Sequence, residues 1–316
     1  MYSTRLIHAL AFALNVAVCA APAQTRADAL ELWVADGGWG WRFDGYTGSS
    51  LGRVLSDTPL QTGMYGFTLG LDGNLYFADQ LSDRVLRYDG ETRQFMDVFV
   101  ETGSGGIDAP TKLEFGPDGN LYVAGGLSNN VIRYDGQTGA FLDVFAFEGL
   151  NMPEGMSFGA DGDLYVTSHD NDRLLRYDGQ TGQLQQIVAE GAYLDGPTDL
   201  LFGPDGLLYV SNRWTGSVAR YDPVTGDALG YFVQPHSGSL NWASGVAFGP
   251  HDGNLYVADP LPARIRRYDG QTGAFIDNFI TYAFLDGPNY IAFVPEPGSL
   301  LLLAAGVLLL GRKRRA

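Results

Sequence analysis

The stretch that decides the fold is residues 110–145, PTKLEFGPDGNLYVAGGLSNNVIRYDGQTGAFLDVF. It contains four short segments rich in β-branched and aromatic residues, which read TKLEF, NLYVA, VIRYD and FLDVF. Turn residues separate them, with GPDGN between the first two segments and DGQTGA between the last two. Segments of this length, joined by Asp-Gly turns, predict four short antiparallel strands.

The same four-strand unit recurs along the chain. Its second strand carries an anchoring aromatic residue that returns at steps of 43 to 47 residues. These anchors are Trp33, Tyr76, Tyr122, Tyr165, Tyr209 and Tyr256. A four-stranded unit that repeats every ~40–50 residues is typical of a β-propeller blade. Complete units begin at Tyr65, Pro110, Pro153, Pro197 and Ala243.

The two ends of the repeat array complement each other. Residues 31–55 contain a second, third and fourth strand but no first, whereas PNYIAF at residues 288–293 supplies only a first strand. We expect these two parts to pair and form a sixth blade, which closes the ring and removes an open sheet edge. The sequence therefore predicts an all-β, six-bladed propeller in one domain, residues 28–294.

The blade pattern LxFGPDGNLYVA, followed by VxRYDGQTG, resembles the NHL-type repeat and the related blades of the gluconolactonase and streptogramin-lyase families. The resemblance covers nearly all of residues 28–294. It implies a six-bladed propeller, and it specifies no activity because this fold carries many different functions.

The first residues of the chain read as a secretory signal peptide. Residues 1–23 combine an early Arg5, an apolar run and a small-residue cleavage site at 21–23. Cys19 is the only cysteine and lies inside this segment, so the mature protein is expected to have no disulfide. The protein is therefore expected to be exported through the inner membrane.

The last residues, 295–316, read as a sorting tail. Pro295, Glu296 and Pro297 precede an 11-residue apolar run, residues 300–310, and a basic cluster at 312–315. This arrangement resembles the PEP-CTERM sorting signal of Gram-negative bacteria that make exopolysaccharide. The resemblance implies that an exosortase-type membrane protease recognises the Pro-Glu-Pro residues. It also implies a final place in the periplasm, on the outer surface or in the biofilm matrix. A plain C-terminal anchor is the alternative, since a permanent transmembrane helix needs ~20 apolar residues.

Charge excludes some partners. The formal net charge is −16, and it reaches −21 for residues 24–311 because five of the 20 basic residues lie outside that span and all 36 acidic residues lie inside it. Such a surface repels phosphate backbones, so no nucleic-acid partner is expected. Anionic lipid is an equally poor partner for the propeller, which leaves only transient membrane contact through the tail.

The first strand of each blade lines the propeller axis, and we call the face formed by first-strand starts and second-to-third loops the top face. Aligned units place six residues around the axis at this face. These axial residues are Tyr65, Thr111, Glu154, Thr198, Ser244 and Asn289. The arginine of each third strand, in Arg-Tyr-Asp or Arg-Phe-Asp, is expected to pair with acidic side chains between blades. These arginines are Arg42, Arg87, Arg133, Arg176, Arg220 and Arg267.

The gluconolactonase resemblance implies a divalent metal held by Glu, Asn and Asp side chains at this axis. Only Glu154 and Asn289 suit that role, while Asp199 is expected to point away because strand side chains alternate. Calcium needs six to eight oxygen ligands, so no metal or other cofactor is predicted, with calcium as the alternative.

The streptogramin-lyase resemblance implies a His and a Glu as general acid and base on the top face. His169 and His236 are the histidines that map there. Isolated loop histidines are more often solvated than catalytic, so no catalytic residue is predicted. The alternative is a metal-assisted lactonase or lyase that uses Glu154, Asn289 and His169.

Tryptophans mark the top face as a ligand surface. Four of the five tryptophans map there, and Trp33 belongs to a core strand. Flat aromatic rings beside Asp and Asn suit sugar rings, although they could instead cap the blade ends. The residue pattern favours a binding module over an enzyme, and we expect this module to contact polysaccharide or a matrix protein. A purely structural matrix protein is a further alternative. The expected ligand surface comprises Trp39, Trp41, Tyr65, Glu154, His169, Trp214, Trp242 and Asn289.

Overall fold

A computed structural model of the protein describes residues 30–55, 63–191 and 193–295, which form six four-stranded antiparallel sheets. Single 3₁₀ turns at 80–82, 104–106, 169–171 and 237–239 are the only helical segments in these ranges. The predicted signal peptide, residues 1–23, lies outside the described residues, as does the sorting tail from Glu296 onward.

Three strands begin the described chain. They are β1 (Leu30–Asp36), β2 (Trp39–Asp44) and β3 (Ser50–Arg53). Blade 1 follows with β4 (Met64–Leu69), β5 (Leu75–Asp79), β6 (Arg84–Tyr88) and β7 (Phe95–Val100). Blade 2 contains β8 (Pro110–Phe115), β9 (Leu121–Gly125), β10 (Asn130–Tyr134) and β11 (Phe141–Ala146).

The remaining blades have the same plan. Blade 3 contains β12 (Pro153–Phe158), β13 (Leu164–Ser168), β14 (Arg173–Tyr177) and β15 (Leu184–Glu190). Blade 4 contains β16 (Pro197–Phe202), β17 (Leu208–Asn212), β18 (Ser217–Tyr221) and β19 (Ala228–Val233). Blade 5 contains β20 (Val246–Phe248), β21 (Leu255–Asp259), β22 (Arg264–Tyr268) and β23 (Phe275–Ile280). The last strand is β24 (Pro288–Pro295).

Blade 6 joins the two ends of the array. Strand β24 pairs antiparallel with β1, with Trp33 opposite Ala292 and Leu30 opposite Pro295, and the sheet order is β24-β1-β2-β3. The predicted closure by a C-terminal first strand and three N-terminal strands is therefore confirmed, as is the six-bladed fold. All six sheets are complete within residues 30–295.

Aromatic pairs between blades form much of the core. In blades 1 to 5 the buried tyrosine of the second strand meets, edge to face, a phenylalanine on the first strand of the next blade, as in Tyr76–Phe115 with ring centroids 4.9 Å apart. Tyr122–Phe158, Tyr165–Phe202, Tyr209–Phe248 and Tyr256–Phe293 repeat this contact. Each such pair contributes about 0.5–1.5 kcal/mol beyond area burial. The repeated LY and F positions therefore hold neighbouring blades together.

Five of the six third-strand arginines, all except Arg220, pair with acidic side chains of their own blades, so the expectation of pairing between blades was wrong. Arg87 Nη2 lies 2.5 Å from Asp97 Oδ2 on the adjacent fourth strand, and Arg267 Nη2 lies 2.6 Å from Asp277 Oδ2. Residues opposite each other on neighbouring strands are the nearest partners available, and here the opposite residue is acidic.

Asp36 connects the N-terminal strands of blade 6 to the chain segment that precedes its last strand. Its side chain is buried, and Oδ2 accepts hydrogen bonds from Trp41 Nε1 and from the backbone N–H of Asp286, both at 3.0 Å. Burial outweighs these hydrogen bonds and raises the pKa of Asp36 from 3.8 to about 6. The carboxyl group of Asp36 therefore titrates within blade 6, where the two ends of the chain pair.

This raised pKa predicts an unusual dependence of stability on pH. Between 3.8 and about 6 the folded protein holds a proton on Asp36 that the unfolded chain has lost, so stability falls as pH rises through this window. The full shift corresponds to about 3 kcal/mol. Urea unfolding at several pH values should show this loss, and Asp36→Asn should remove it. An unchanged pH profile in Asp36→Asn would contradict the assignment.

Candidate functional site

The six predicted axial residues line one narrow cavity at the top of the central channel. Lys112, Asp199 and Tyr290 share this lining, and the cavity volume is about 10 Å³. That is space for roughly one water molecule. The channel is therefore almost filled by side chains at this level.

Asp199 faces the channel, so the expectation that it points away was wrong. The pairing of β16 with β17 is irregular between Pro197 and Leu200, and the first strands of blades 1–3 have the same irregularity. A bulge of this kind breaks the alternation of side chains. Two successive residues of a first strand, such as Thr198 and Asp199, can therefore both line the axis.

The second residue of each such pair alternates between glycine and a larger side chain. In blade order these residues are Gly66, Lys112, Gly155, Asp199, Gly245 and Tyr290. A Cβ on Gly66 would lie 2.3 Å from the Thr111 carbonyl oxygen, and a Cβ on Gly155 would lie 2.5 Å from that of Thr198. The glycine strands therefore pack directly on the next first strand. The structural repeat is a pair of blades, present three times.

Lys112 and Asp199 form a buried ion pair across the channel. Lys112 Nζ lies 3.0 Å from Asp199 Oδ1 and 3.8 Å from the ring centroid of Tyr290. Burial lowers the pKa of Lys112, but the charge of Asp199 and the contact with Tyr290 raise it by more, so the net shift is upward. Burial also raises the pKa of Glu114, farther along the same strand, to about 7. Lys112 is therefore a cation held inside the channel.

The axial hydroxyl groups join neighbouring first strands. Thr111 Oγ1 donates to the carbonyl of Pro153 at 2.8 Å, and Thr198 Oγ1 donates to that of Ala243 at 2.9 Å. Ser244 Oγ donates to the carbonyl of Asn289 at 2.9 Å. These hydroxyl groups serve to connect blades.

The axial cavity is poorly suited to bind a metal ion. Within the described ranges no group of three or more His, Cys, Asp or Glu side chains is arranged to hold a metal ion. Glu154 and Asn289 do line the same cavity, but the Lys112 ammonium shares it. A cation at this place would meet like charge as well as the two oxygen ligands.

Above the ion pair, Glu154 joins three blades. Its Oε2 accepts hydrogen bonds from Tyr65 Oη of blade 1 at 2.9 Å and from Arg213 Nη2 of blade 4 at 2.8 Å. Arg213 Nη2 also donates to Tyr65 Oη at 3.0 Å. Glu154 Oε1 is buried and has no hydrogen-bond partner among the residues that the structure describes. This carboxylate oxygen is left to accept from a water molecule, for which the cavity has room.

His169 extends this network toward the surface. Its Nε2 lies 3.4 Å from Arg213 Nη1, and its Nδ1 lies 2.8 Å from Asp170 Oδ1. Because a guanidinium group only donates hydrogen bonds, Nε2 is the acceptor and Nδ1 carries the proton. His236, by contrast, contacts the carbonyl of Leu240 in its own loop, 3.2 Å from Nδ1. The two histidines predicted for the top face therefore have separate surroundings.

An aromatic pair, exposed Trp214 and partly buried Trp242, borders the network. Trp214 is 51% exposed, and its ring lies edge to face with those of Trp242 and His169, with centroids 5.7 Å apart in both cases. Gly196 makes room for this arrangement, since a Cβ there would lie 2.6 Å from the Trp214 ring. Arg213 and Trp214 are consecutive residues, so the hydrogen-bond network and the aromatic pair are adjacent. The top face thus offers aromatic surface beside hydrogen-bonding groups.

The other two predicted tryptophans differ from this pair. Trp41 is buried against Tyr282 and Phe284, with ring centroids 5.3 and 6.4 Å away, and therefore belongs to the core. Trp39 is partly exposed, but the guanidinium carbon of Arg53 lies 3.6 Å above its ring. Neither ring presents an open face like that of Trp214.

Sequence reasoning did not identify Arg213, although it links Tyr65, Glu154 and His169. A signal was present, because His169 and Arg213 each follow directly the last residue of the second strand of their blades. Aligned units would therefore have placed them together on the top face. The contact of Arg213 with Tyr65 across the channel carries no such signal.

Three comparisons with known proteins bear on this fold. A chain from the crystal structure of a nidogen–laminin complex aligns over 84% of this chain and 98% of its own length, with a TM-score of 0.69 and 16% identity. A protein of unknown function from Bacteroides caccae aligns over 84% and 99%, with a TM-score of 0.65 and 13% identity. Identities this low show a shared fold alone.

A catalytically inactive virginiamycin B lyase from Staphylococcus aureus, solved with quinupristin, is also similar. It aligns over 78% of this chain and 81% of its own, with a TM-score of 0.58 and 20% identity. A search of curated protein sequences finds no match.

Residues 293–315 match the PEP-CTERM protein-sorting motif, which confirms that prediction. No helix within the described residues is long and apolar enough to cross a membrane. Fold and motif together define the class: a six-bladed β-propeller that carries a PEP-CTERM sorting motif. Such a motif indicates export and sorting through the C-terminal tail, with processing by an exosortase-type membrane enzyme.

Proposed function

We propose that the protein is a non-enzymatic binding module of the cell envelope or extracellular matrix, and that its top face binds polysaccharide. The observation that carries this proposal is the contact of exposed Trp214 with partly buried Trp242 beside the Arg213–His169–Glu154 network. An aromatic face supplies apolar contact to a sugar ring, and fixed polar groups beside it supply orientation. The sorting motif supports a location where such polymers occur.

The network is suited to holding a neutral ligand without reacting with it. Glu154 Oε2 already accepts two hydrogen bonds, and both ring nitrogens of His169 have partners. Glu154 Oε1, in contrast, still has capacity to accept from an intervening water molecule. A matrix protein instead of polysaccharide is the other ligand that this face would suit.

Binding can be tested with residues 24–295, a span that includes all six complete sheets. We expect this fragment to be retained on exopolysaccharide from a bacterium that carries an exosortase. Trp214→Ala should weaken retention by about tenfold, because aromatic anchors dominate such contacts. The measurement is affinity electrophoresis or retention on the immobilised polymer.

Tyr46→Ala provides a matched control for this experiment. Tyr46 is also an exposed aromatic residue, 52% exposed, but it lies in the β2–β3 turn on the opposite face. Its loss should leave retention unchanged. Absence of retention by the unaltered fragment would reject polysaccharide binding, and a matrix protein or a purely structural role would then take its place.

A lyase or lactonase is the second candidate, favoured by one observation. Glu154 and His169 both contact Arg213 at the channel mouth, and a lyase is among the structures of similar fold. Ring opening of a cyclic ester by the fragment, lost in His169→Ala, would replace the binding proposal. A calcium-dependent version would also show a higher thermal midpoint with calcium than with chelator.

A further inference from the structure

A second cleft lies on the top face, between blades 1, 2 and 3. Its volume is about 410 Å³, within the range of small-ligand and side-chain pockets. The walls are apolar, with the exposed side chains of Leu81 and Leu127 and the partly buried Met152. Asp83 and Asp108 add carboxylates, and the described residues that line the cleft include no basic side chain.

Two hydrogen bonds that hold the backbone around this cleft have equivalents at the aromatic site, the surface around Trp214 and Trp242. We call this shared backbone arrangement the frame. In the cleft, Asp83 Oδ1 accepts from the backbone N–H of Ala109 at 2.8 Å; in the aromatic site, Asp172 Oδ1 accepts from that of Gly196 at 2.7 Å. The backbone bond from Gly126 N to Ala109 O, 2.9 Å, likewise matches the one from Arg213 to Gly196. The same two bonds occur between blades 2 and 3, where Met152 N donates to Asn129 Oδ1 and His169 N donates to Met152 O, so the correspondence follows from the repeat of single blades.

Side chains, however, fill the two frames differently. Where the aromatic site has His169, Arg213 and Trp214, the cleft has Gln80, Gly126 and Leu127. Replacing an arginine by glycine and a tryptophan by leucine removes the cation and most of the bulk. In blades 3 and 4 large side chains therefore occupy this frame, whereas in blades 1 and 2 it encloses a cleft with acidic side chains.

We propose that this cleft binds a basic side chain, Lys or Arg, flanked by apolar residues in an extended segment of a partner protein. Charge complementarity supports a cationic occupant, since Asp83 and Asp108 stand in a chain of net charge −16. The carboxylate of Asp108 is exposed and has no partner among the described residues. Leu81, Leu127 and Met152 suit the aliphatic stem and the flanking apolar residues.

This site is separate from the saccharide site, and either can exist without the other. The probe is Leu-Lys-Leu-amide with fluorescein attached at its N-terminal amine through a Gly-Gly spacer, so that the Lys side chain stays charged. It is compared with the Leu-Glu-Leu counterpart labelled in the same way, and each is added to residues 24–295. Fluorescence anisotropy should show binding of the Lys peptide, weakened by added salt, and at least tenfold weaker binding of the Glu peptide.

Variants locate the binding. Asp108→Asn keeps the shape and removes a charge, so it should weaken the Lys peptide about fivefold. Gly126→Arg, which copies Arg213 into the cleft, should abolish binding. Asp195→Asn at the equivalent place in the aromatic frame is the matched control and should leave binding unchanged.

Several different results would contradict the proposal that the cleft binds a basic side chain. Equal binding of both peptides, or none by either, would overturn the proposal. Equal weakening by Asp108→Asn and Asp195→Asn would also overturn it, because the contact would then be general attraction to an acidic surface. Binding of chitosan oligosaccharide in place of the peptide, sensitive to Asp108→Asn, would assign the cleft to an amino sugar and reject a protein segment. Trp214→Ala should not affect the peptide, which separates this test from that of the saccharide site.

Discussion

Asp199→Ala is expected to lower the free energy of unfolding by about 3–5 kcal/mol, the usual cost of removing one partner of a buried ion pair. The change leaves the Lys112 ammonium in the channel beside the Tyr290 ring but without the carboxylate that forms its ion pair. It also removes the acceptor, Oδ2, 3.2 Å from the backbone N–H of Val246. Urea denaturation followed by circular dichroism would measure the loss.

A double variant separates charge from shape. Lys112→Met combined with Asp199→Leu removes both charges and keeps most of the volume, so stability should return to within about 1–2 kcal/mol of the unaltered protein. If Asp199→Ala alone cost under about 1 kcal/mol, the pair would behave like a solvated surface salt bridge. The channel would then be open to water, contrary to the packing described.

Gly155→Ala is expected to destabilise the propeller by about 3 kcal/mol through overpacking. The new Cβ would lie 2.5 Å from the Thr198 carbonyl oxygen and 2.8 Å from the Asp199 Cα, and both are backbone atoms of the next blade. The strands would have to separate, because neither atom belongs to a flexible side chain. A thermal midpoint lowered by roughly 6–12 °C would correspond to this loss.

Gly126→Ala is the matched control for this prediction. Its Cβ would lie 3.1 Å from Thr111 Cγ2, a side-chain atom, and 3.3 Å from the Ala109 carbonyl oxygen. A shift of a few tenths of an ångström relieves both contacts, so the effect should stay under about 1 kcal/mol. Equal losses from the two substitutions would contradict the assignment of the cost to contact between blades, since the reduced flexibility of the unfolded chain would by itself stabilise both variants.

The sequence was sufficient for the fold because each blade repeats the same local signals. Period-two strands and Asp-Gly turns recur at a nearly constant spacing, and the missing strand at one end matches the spare strand at the other. The six axial residues were also predictable, since they occupy one aligned position and line one cavity.

The rest depended on features without a local signature. The bulge that turns Asp199 toward Lys112 involves the pairing of two strands, and simple alternation gives the opposite orientation. The contact of Arg213 with Tyr65 joins residues 148 positions apart in sequence. Burial of Trp41 depends on Tyr282 and Phe284, which reach it only after the ring closes.

The direction of the last strand determines which face of the propeller is nearest to the sorting tail. Strand β24 starts at the top of the channel and ends beside Leu30, next to the β2–β3 turn. The described chain therefore ends at the centre of the bottom face, where the sorting tail begins. With that tail anchored in a membrane, we expect the bottom turns, each with an aspartate, to face the lipid and the top face to point away. These aspartates are Asp44, Asp89, Asp135, Asp178, Asp222 and Asp269. Like charge should keep such a face off an anionic leaflet, so we expect the propeller to turn freely about its own axis above the membrane.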